Sequence, residues 1–118
     1  MKTLIRFSAI LALALGAAVA QAGGTYTGTV SSVTAYSVPG YSPNGMVLVK
    51  FAGNLTGSPS CASSYTNYLA VDVTTAAGAE VVSLVELAYA LGSTVTVGGT
   101  GACTVDSNFE TLASFSSQ

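Results

Sequence analysis

The alternation of apolar and polar positions along the chain predicts a single helix set among short strands. The clearest strand signal is Met46-Val-Leu-Val-Lys-Phe-Ala52, which puts Val47, Val49 and Phe51 on one face and Met46, Leu48 and Lys50 on the other. Tyr26 to Tyr36, rich in Thr, Val and Tyr, reads as an earlier strand in which Ser31 and Ser32 break the alternation as a bulge. Tyr68 to Val73 gives a third strand, Val95 to Val97 the centre of a fourth, and Asn108 to Phe115 a last one. Between the third and fourth, Ala79 to Leu91 carries Val81, Val82, Leu84, Val85, Ala88, Tyr89 and Leu91 on roughly half of a helical circumference. Gly92 suits the left-handed position that ends such a helix. Its start is open between a cap at Thr74 or Thr75 and a turn closing at Gly78. Val and Tyr are mediocre helix formers, so burial has to hold this segment. Leu87 falls among Ala and Glu on the opposite side. It is either an incidental residue on a covering helix or a subunit contact.

Three turn-rich stretches punctuate these elements: Ser37 to Gly45 with two prolines, Gly53 to Asn67 with Pro59 and Cys61, and Gly98 to Cys103. The resulting order is strand, strand, strand, helix, strand, strand. A mainly β chain with one helix in that place has the element order of an OB-fold, a five-stranded, partly open barrel whose gap the helix plugs. An open α+β sandwich with the same order is the alternative.

The first 22 residues read differently. Lys2 and Arg6 precede an almost wholly apolar run from Phe7 to Val19, and Ala20-Gln21-Ala22 offers the small residues a signal peptidase reads. The expectation is a signal peptide over 1–22, a single domain over 23–118, and a secreted or periplasmic location. No later stretch is long and apolar enough to suggest an integral membrane segment after cleavage. A domain of that size is marginal without a staple. Cys61 and Cys103 are the only cysteines. An even count in an exported chain predicts one disulfide, which by loop-closure entropy contributes about 4 kcal/mol. Two thiolates without histidine do not make a zinc site, and no cofactor is expected.

Charge narrows the chemistry further. Beyond residue 22 the chain has one basic side chain, Lys50, against five acids and no histidine. Ser-His-Asp and Cys-His nucleophile systems are excluded in their usual forms. Nucleic acid is excluded as a partner because phosphate neutralisation needs Lys and Arg. Among the acids outside the helix, Asp72 is expected on the solvent side of its strand and Asp106 in a turn. Glu110 is expected either at an exposed strand position or as a partner of Lys50. Gly98-Gly-Thr-Gly101 lacks the lysine and the following helix of a phosphate loop and reads as a turn. What remains is recognition through neutral polar and aromatic groups. Tyr36, Tyr41, Tyr65 and Asn67 gather in sequence around the two long loops, and tyrosine offers a flat apolar face with a hydroxyl. The plainer reading has Tyr36 and Tyr68 packing at strand ends.

The segments Gly28 to Val33, Pro59-Ser-Cys61, Tyr68 to Asp72, Ala90-Leu-Gly92, Val95-Thr-Val97, Gly99 to Cys103 and Phe109-Glu110 together resemble the OB-fold B subunits of bacterial AB5-type exotoxins, in the subtilase-cytotoxin and pertussis-like branch, and small exported bacterial proteins of the same pattern. The resemblance covers roughly Thr25 to Phe115 and lies in framework features. It implies an OB-fold, pentameric rings formed around the helices, and glycan binding through surface loops. The polar N-terminal segment that helps form the glycan site in the subtilase branch has no counterpart here, and no sugar-binding residue transfers by position. The expected function is a secreted, non-enzymatic binding module, open to homo-oligomer formation, with a glycan or a cell-envelope protein as ligand. The alternative is a structural or accessory periplasmic protein that docks on a protein partner.

Overall fold

A computed structural model describes residues 23–37 and 45–118. The expected signal peptide and Tyr41 lie outside the described residues. Among the described residues, six strands and one long helix occur in the order β1 (Thr25–Gly28), β2 (Val30–Tyr36), β3 (Met46–Phe51), β4 (Tyr68–Asp72), α1 (Ala76–Leu91), β5 (Val95–Gly99) and β6 (Leu112–Ser117), with a 3-10 turn at Ser60–Ala62 between β3 and β4. The strands form two three-stranded antiparallel sheets, β1-β5-β6 and β2-β3-β4. The fold is therefore mainly β with one helix, and the sheets do not close into one barrel.

The stretch expected as one strand from Tyr26 to Tyr36 is divided at Thr29. Its first part pairs with β5 and its second with β3, so it feeds both sheets. A register shift between Val30 and Ser32 places the bulge where Ser31-Ser32 suggested it. The last strand begins at Leu112 instead of Asn108, because Asp106 to Phe109 closes a turn in which Asp106 Oδ1 accepts the Asn108 N–H at 2.9 Å.

β3 is the centre of the packing, and both of its faces are covered. Val47, Val49 and Phe51 join Leu69 and Val71 of β4, Val95 and Val97 of β5, and Val85 and Ala88 of α1 in the main core. Tyr26 bridges the two sheets with its ring 5.2 Å from that of Phe51. On the other face, Met46 and Leu48 join Ala70 beneath Tyr36, Tyr68, Val105 and Phe109. A single β4–β6 link joins the sheets at this side. Ala70 forms a parallel bridge to Thr111, and its N–H donates to the Glu110 carbonyl at 2.8 Å.

α1 starts at Ala76, one of the beginnings the sequence left open. Thr75 is the cap, its Oγ1 accepting the Gly78 N–H at 3.0 Å. Gly92 ends the helix at φ 64°, as its place in the sequence suggests. The buried face is narrower than the expected arc. Gly78, Val85 and Ala88 are buried and Val81 and Val82 pack against the core, but Leu84, Tyr89 and Leu91 are exposed along with Leu87. The sheet beneath is too small to cover more.

Gly78 lies in the first helical turn, where a Cβ would overlap the Asp72 carbonyl oxygen. Glycine is normally a poor choice inside a helix, so close packing of α1 on the end of β4 sets this residue. We expect Gly78→Ala to destabilise the protein by about 1–3 kcal/mol, measured by urea unfolding. The propensity gain of roughly 1 kcal/mol from alanine alone predicts the opposite sign.

Candidate functional site

The clamp between loops determines what the outer face of the β2-β3-β4 sheet can present. The Cys61–Cys103 disulfide joins the 3-10 turn before β4 to the segment after β5, with Cα atoms 6.2 Å apart and a sequence separation of 42. This is the expected pairing. The arm after Cys103 carries Val105 and Phe109, which pack on the outer core, and the arm after Cys61 carries Tyr65, which packs on Phe109.

Tyr65, Tyr68 and Phe109 form one aromatic cluster. The Tyr65 ring lies 4.6 Å from that of Phe109, tilted by 33°, and meets Tyr68 edge-on at 5.9 Å. Tyr68 meets Phe109 at 5.5 Å, also nearly edge-on. These separations suit ring quadrupoles that favour offset and edge contacts. Lys50, the only basic residue among the described ones, places its Nζ 5.7 Å from the Tyr68 ring centroid. Tyr65 remains 40% exposed while Tyr68 and Phe109 are half-buried, so the cluster is a supported platform with one accessible ring.

The sequence-predicted residues divide accordingly. Tyr65 belongs to the platform, whereas Asn67 stands opposite Phe51 at the start of β4. The Asn67 carbonyl accepts the Phe51 N–H at 2.8 Å, which fixes the entry into β4 and places Asn67 beside Tyr68. Tyr36 shares the outer face but sits opposite Met46, whereas Tyr68 sits opposite Lys50. Four residues of strand separate those positions, about 13 Å, so Tyr36 packs over Met46 and Leu48 and does not belong to the platform. Leu87 is 58% exposed on α1, in one stripe with Leu84 at 48% and Leu91 at 70%. Phe109 and Lys50, which complete the platform, carry no motif. Phe109 lies between the Asp106 turn and the Glu110 carbonyl that accepts the Ala70 N–H.

The carboxylates have local roles. Asp72 Oδ1 accepts from the Thr74 hydroxyl at 2.6 Å and the Thr74 N–H at 2.9 Å. The side-chain hydrogen bond first, and the backbone one second, hold its carboxyl below the ordinary range against a small opposing effect of burial. Glu110 departs from both expectations. It neither lies exposed nor meets Lys50, but is 1% exposed, with Oε2 accepting the Gly24 N–H at 3.0 Å and the Gly101 N–H at 2.8 Å. Its signal in the sequence is the glycines Gly24 and Gly99, where a Cβ would take the space that the carboxylate fills.

Two concavities lie elsewhere. One, about 230 Å³, opens between the start of α1 and β6 and is lined by Val71, Asp72, Thr75, Gly78, Val81 and Leu112. The other, about 480 Å³, runs along β1, β5 and β6 beside Gly23. Neither includes the platform residues. Among the described residues, no three His, Cys, Asp or Glu side chains are grouped to hold a metal ion, and no helix is long and apolar enough to cross a membrane.

Removing the clamp by Cys61→Ser with Cys103→Ser should cost about 4 kcal/mol of stability, read from urea unfolding of the oxidised protein and the double variant. No family model, no curated protein and no solved structure matches this chain.

Proposed function

We propose that the chain is an exported, non-enzymatic binding module of OB-like design, with the Tyr65–Tyr68–Phe109 platform as its recognition surface and a glycan as its ligand class. The platform is the observation that carries this reading. It offers one exposed ring braced by two others and one nearby ammonium on Lys50. A flat aromatic face stacks on the apolar C–H face of a sugar ring, while neighbouring polar groups meet its hydroxyls. The low charge of the chain favours a neutral ligand.

The OB-like reading draws support from the order of neighbours. One divided strand reaches both sheets, α1 follows β4, and a parallel bridge at Ala70 and Thr111 brings β4 beside the start of β6. The toxin B-subunit resemblance adds ring assembly and glycan binding by analogy of fold. Export fits the disulfide, which persists in oxidising compartments, together with the leader-like residues 1–22.

The Leu84, Leu87 and Leu91 stripe favours a second reading, docking on a protein partner or on further copies of the chain. Tyr89, 48% exposed, adds to the apolar surface of the same helix.

A glycan array probed with the oxidised protein tests the first reading. Binding should appear and should fall roughly tenfold or more in Tyr65→Ala, with Tyr36→Ala close to wild type. An array without binding counts against the glycan, and equal losses in both variants count against the platform. For the second reading, light scattering should give an oligomer that Leu87→Glu converts to monomer. A wild-type monomer would leave the stripe without a role in self-association.

A further inference from the structure

The geometry points to a second site, the Glu110 carboxylate, as the receptor for the α-ammonium that leader cleavage creates at Gly23. The inference rests on the reading of residues 1–22 as a removable leader.

Among the described residues, Glu110 is the only charged side chain in the core. Oε2 is satisfied by the Gly24 and Gly101 N–H groups, whereas Oε1, fully buried, has no hydrogen-bond partner. A buried carboxylate with an unpaired oxygen is costly, and the usual remedy is a cation or a further donor. No side chain supplies one. Lys50, the single basic residue beyond the leader, faces Tyr68 on the outer side of β3.

The chain has been thinned around this carboxylate so that its own start can reach it. A Cβ at Gly24 would stand 2.8 Å from Oε1, and one at Gly99 would overlap the carboxyl group. Gly23 is packed against the Gly99 carbonyl, where a Cβ would again collide, and lies beside the Gly101 nitrogen. The path of Gly24 is fixed, because its carbonyl accepts the Gly99 N–H at 2.8 Å and the next residue pairs in both directions with Thr56. The nitrogen of Gly23 is three bonds from that of Gly24, which already touches Oε2. It therefore sits within about 7 Å of the carboxylate. Beside it, the hollow lined by Thr25, Thr96, Gly98 and Ser114 leaves room for that nitrogen to turn.

In the uncleaved chain this nitrogen is an amide with one N–H and no charge. Hydrolysis by a signal peptidase adds water across the Ala22–Gly23 bond. The hydroxyl goes to the Ala22 carbonyl, leaving a carboxylate on the departing leader. The proton goes to the Gly23 nitrogen, which at neutral pH becomes an ammonium with three donors. Pairing that ammonium with Oε1 neutralises the buried charge and fastens β1 to β5 and to the segment before β6. The full stability of the fold thus arrives only after the leader has gone.

N-terminal sequencing of the exported protein comes first. A start at Gly23 is expected, and any other start overturns the leader reading and the pairing with it. The chain starting at Gly23 is then compared with one that retains Ala22, which displaces the ammonium by one residue. The Ala22 chain should melt roughly 5–10 °C lower, and that difference should vanish in the Glu110→Gln background. Equal melting of the two chains, after a confirmed start at Gly23, overturns the pairing alone. If Glu110→Gln does not fold, acylation of the amine by an N-hydroxysuccinimide ester decides. The Gly23 amine of the folded protein should react roughly tenfold more slowly than in urea; equal rates overturn the proposal.

Discussion

A six-residue strand that is apolar on both faces imposes the plan of this protein. Every residue of β3 except Lys50 is buried, so the chain must supply two covers instead of one. The first is a helix. The second, in a chain with no other helix of that length among the described residues, is made from two loops. A loop cover has little regular hydrogen bonding to hold it and loses conformational entropy when ordered. The Cys61–Cys103 bond lowers that cost by joining the loops covalently where they meet.

The same solution produces the proposed recognition surface. Because Val105 and Phe109 pack over Met46 and Leu48 beside Tyr68, and Tyr65 packs on Phe109, the outer side of this cover is aromatic. A ring packed on other rings loses little further freedom when a ligand stacks on it. Stability and presentation of the platform therefore share one covalent bond. The helical cover behaves differently. Its buried stripe of Gly78, Val81, Val85 and Ala88 suffices for the sheet it meets, and the leucines beyond that stripe are left to solvent or to a partner.

Much of this was legible in the residues. The double-faced pattern of Met46 to Ala52 announced β3, the bulge at Ser31-Ser32 and the stop at Gly92 followed from local chemistry, and the cysteine pair followed from count and compartment. The misreadings share a physical cause, which is that the deciding contact is distant in sequence. Glu110 looks like an exposed strand residue because its partners are backbone N–H groups of Gly24, 86 positions away, and of Gly101. Leu84 and Leu91 look buried because periodicity reports an apolar arc and says nothing about the width of the sheet below. The platform needed Phe109, whose approach to Tyr65 follows from no motif. Tyr36 and Tyr68, by contrast, are alike in the sequence and are separated by strand register.

Amide hydrogen exchange before and after reduction tests most directly whether the crosslink holds the second cover in place. The Thr111 N–H, which donates to the Ala102 carbonyl at 2.9 Å, and the Ala70 N–H report on that cover, and the amides of Val85 and Ala88 report on the helix. On reduction, protection at Thr111 and Ala70 should fall well before protection at Val85 and Ala88. Unchanged protection at Thr111 and Ala70, or a uniform fall at all four amides, would contradict the account.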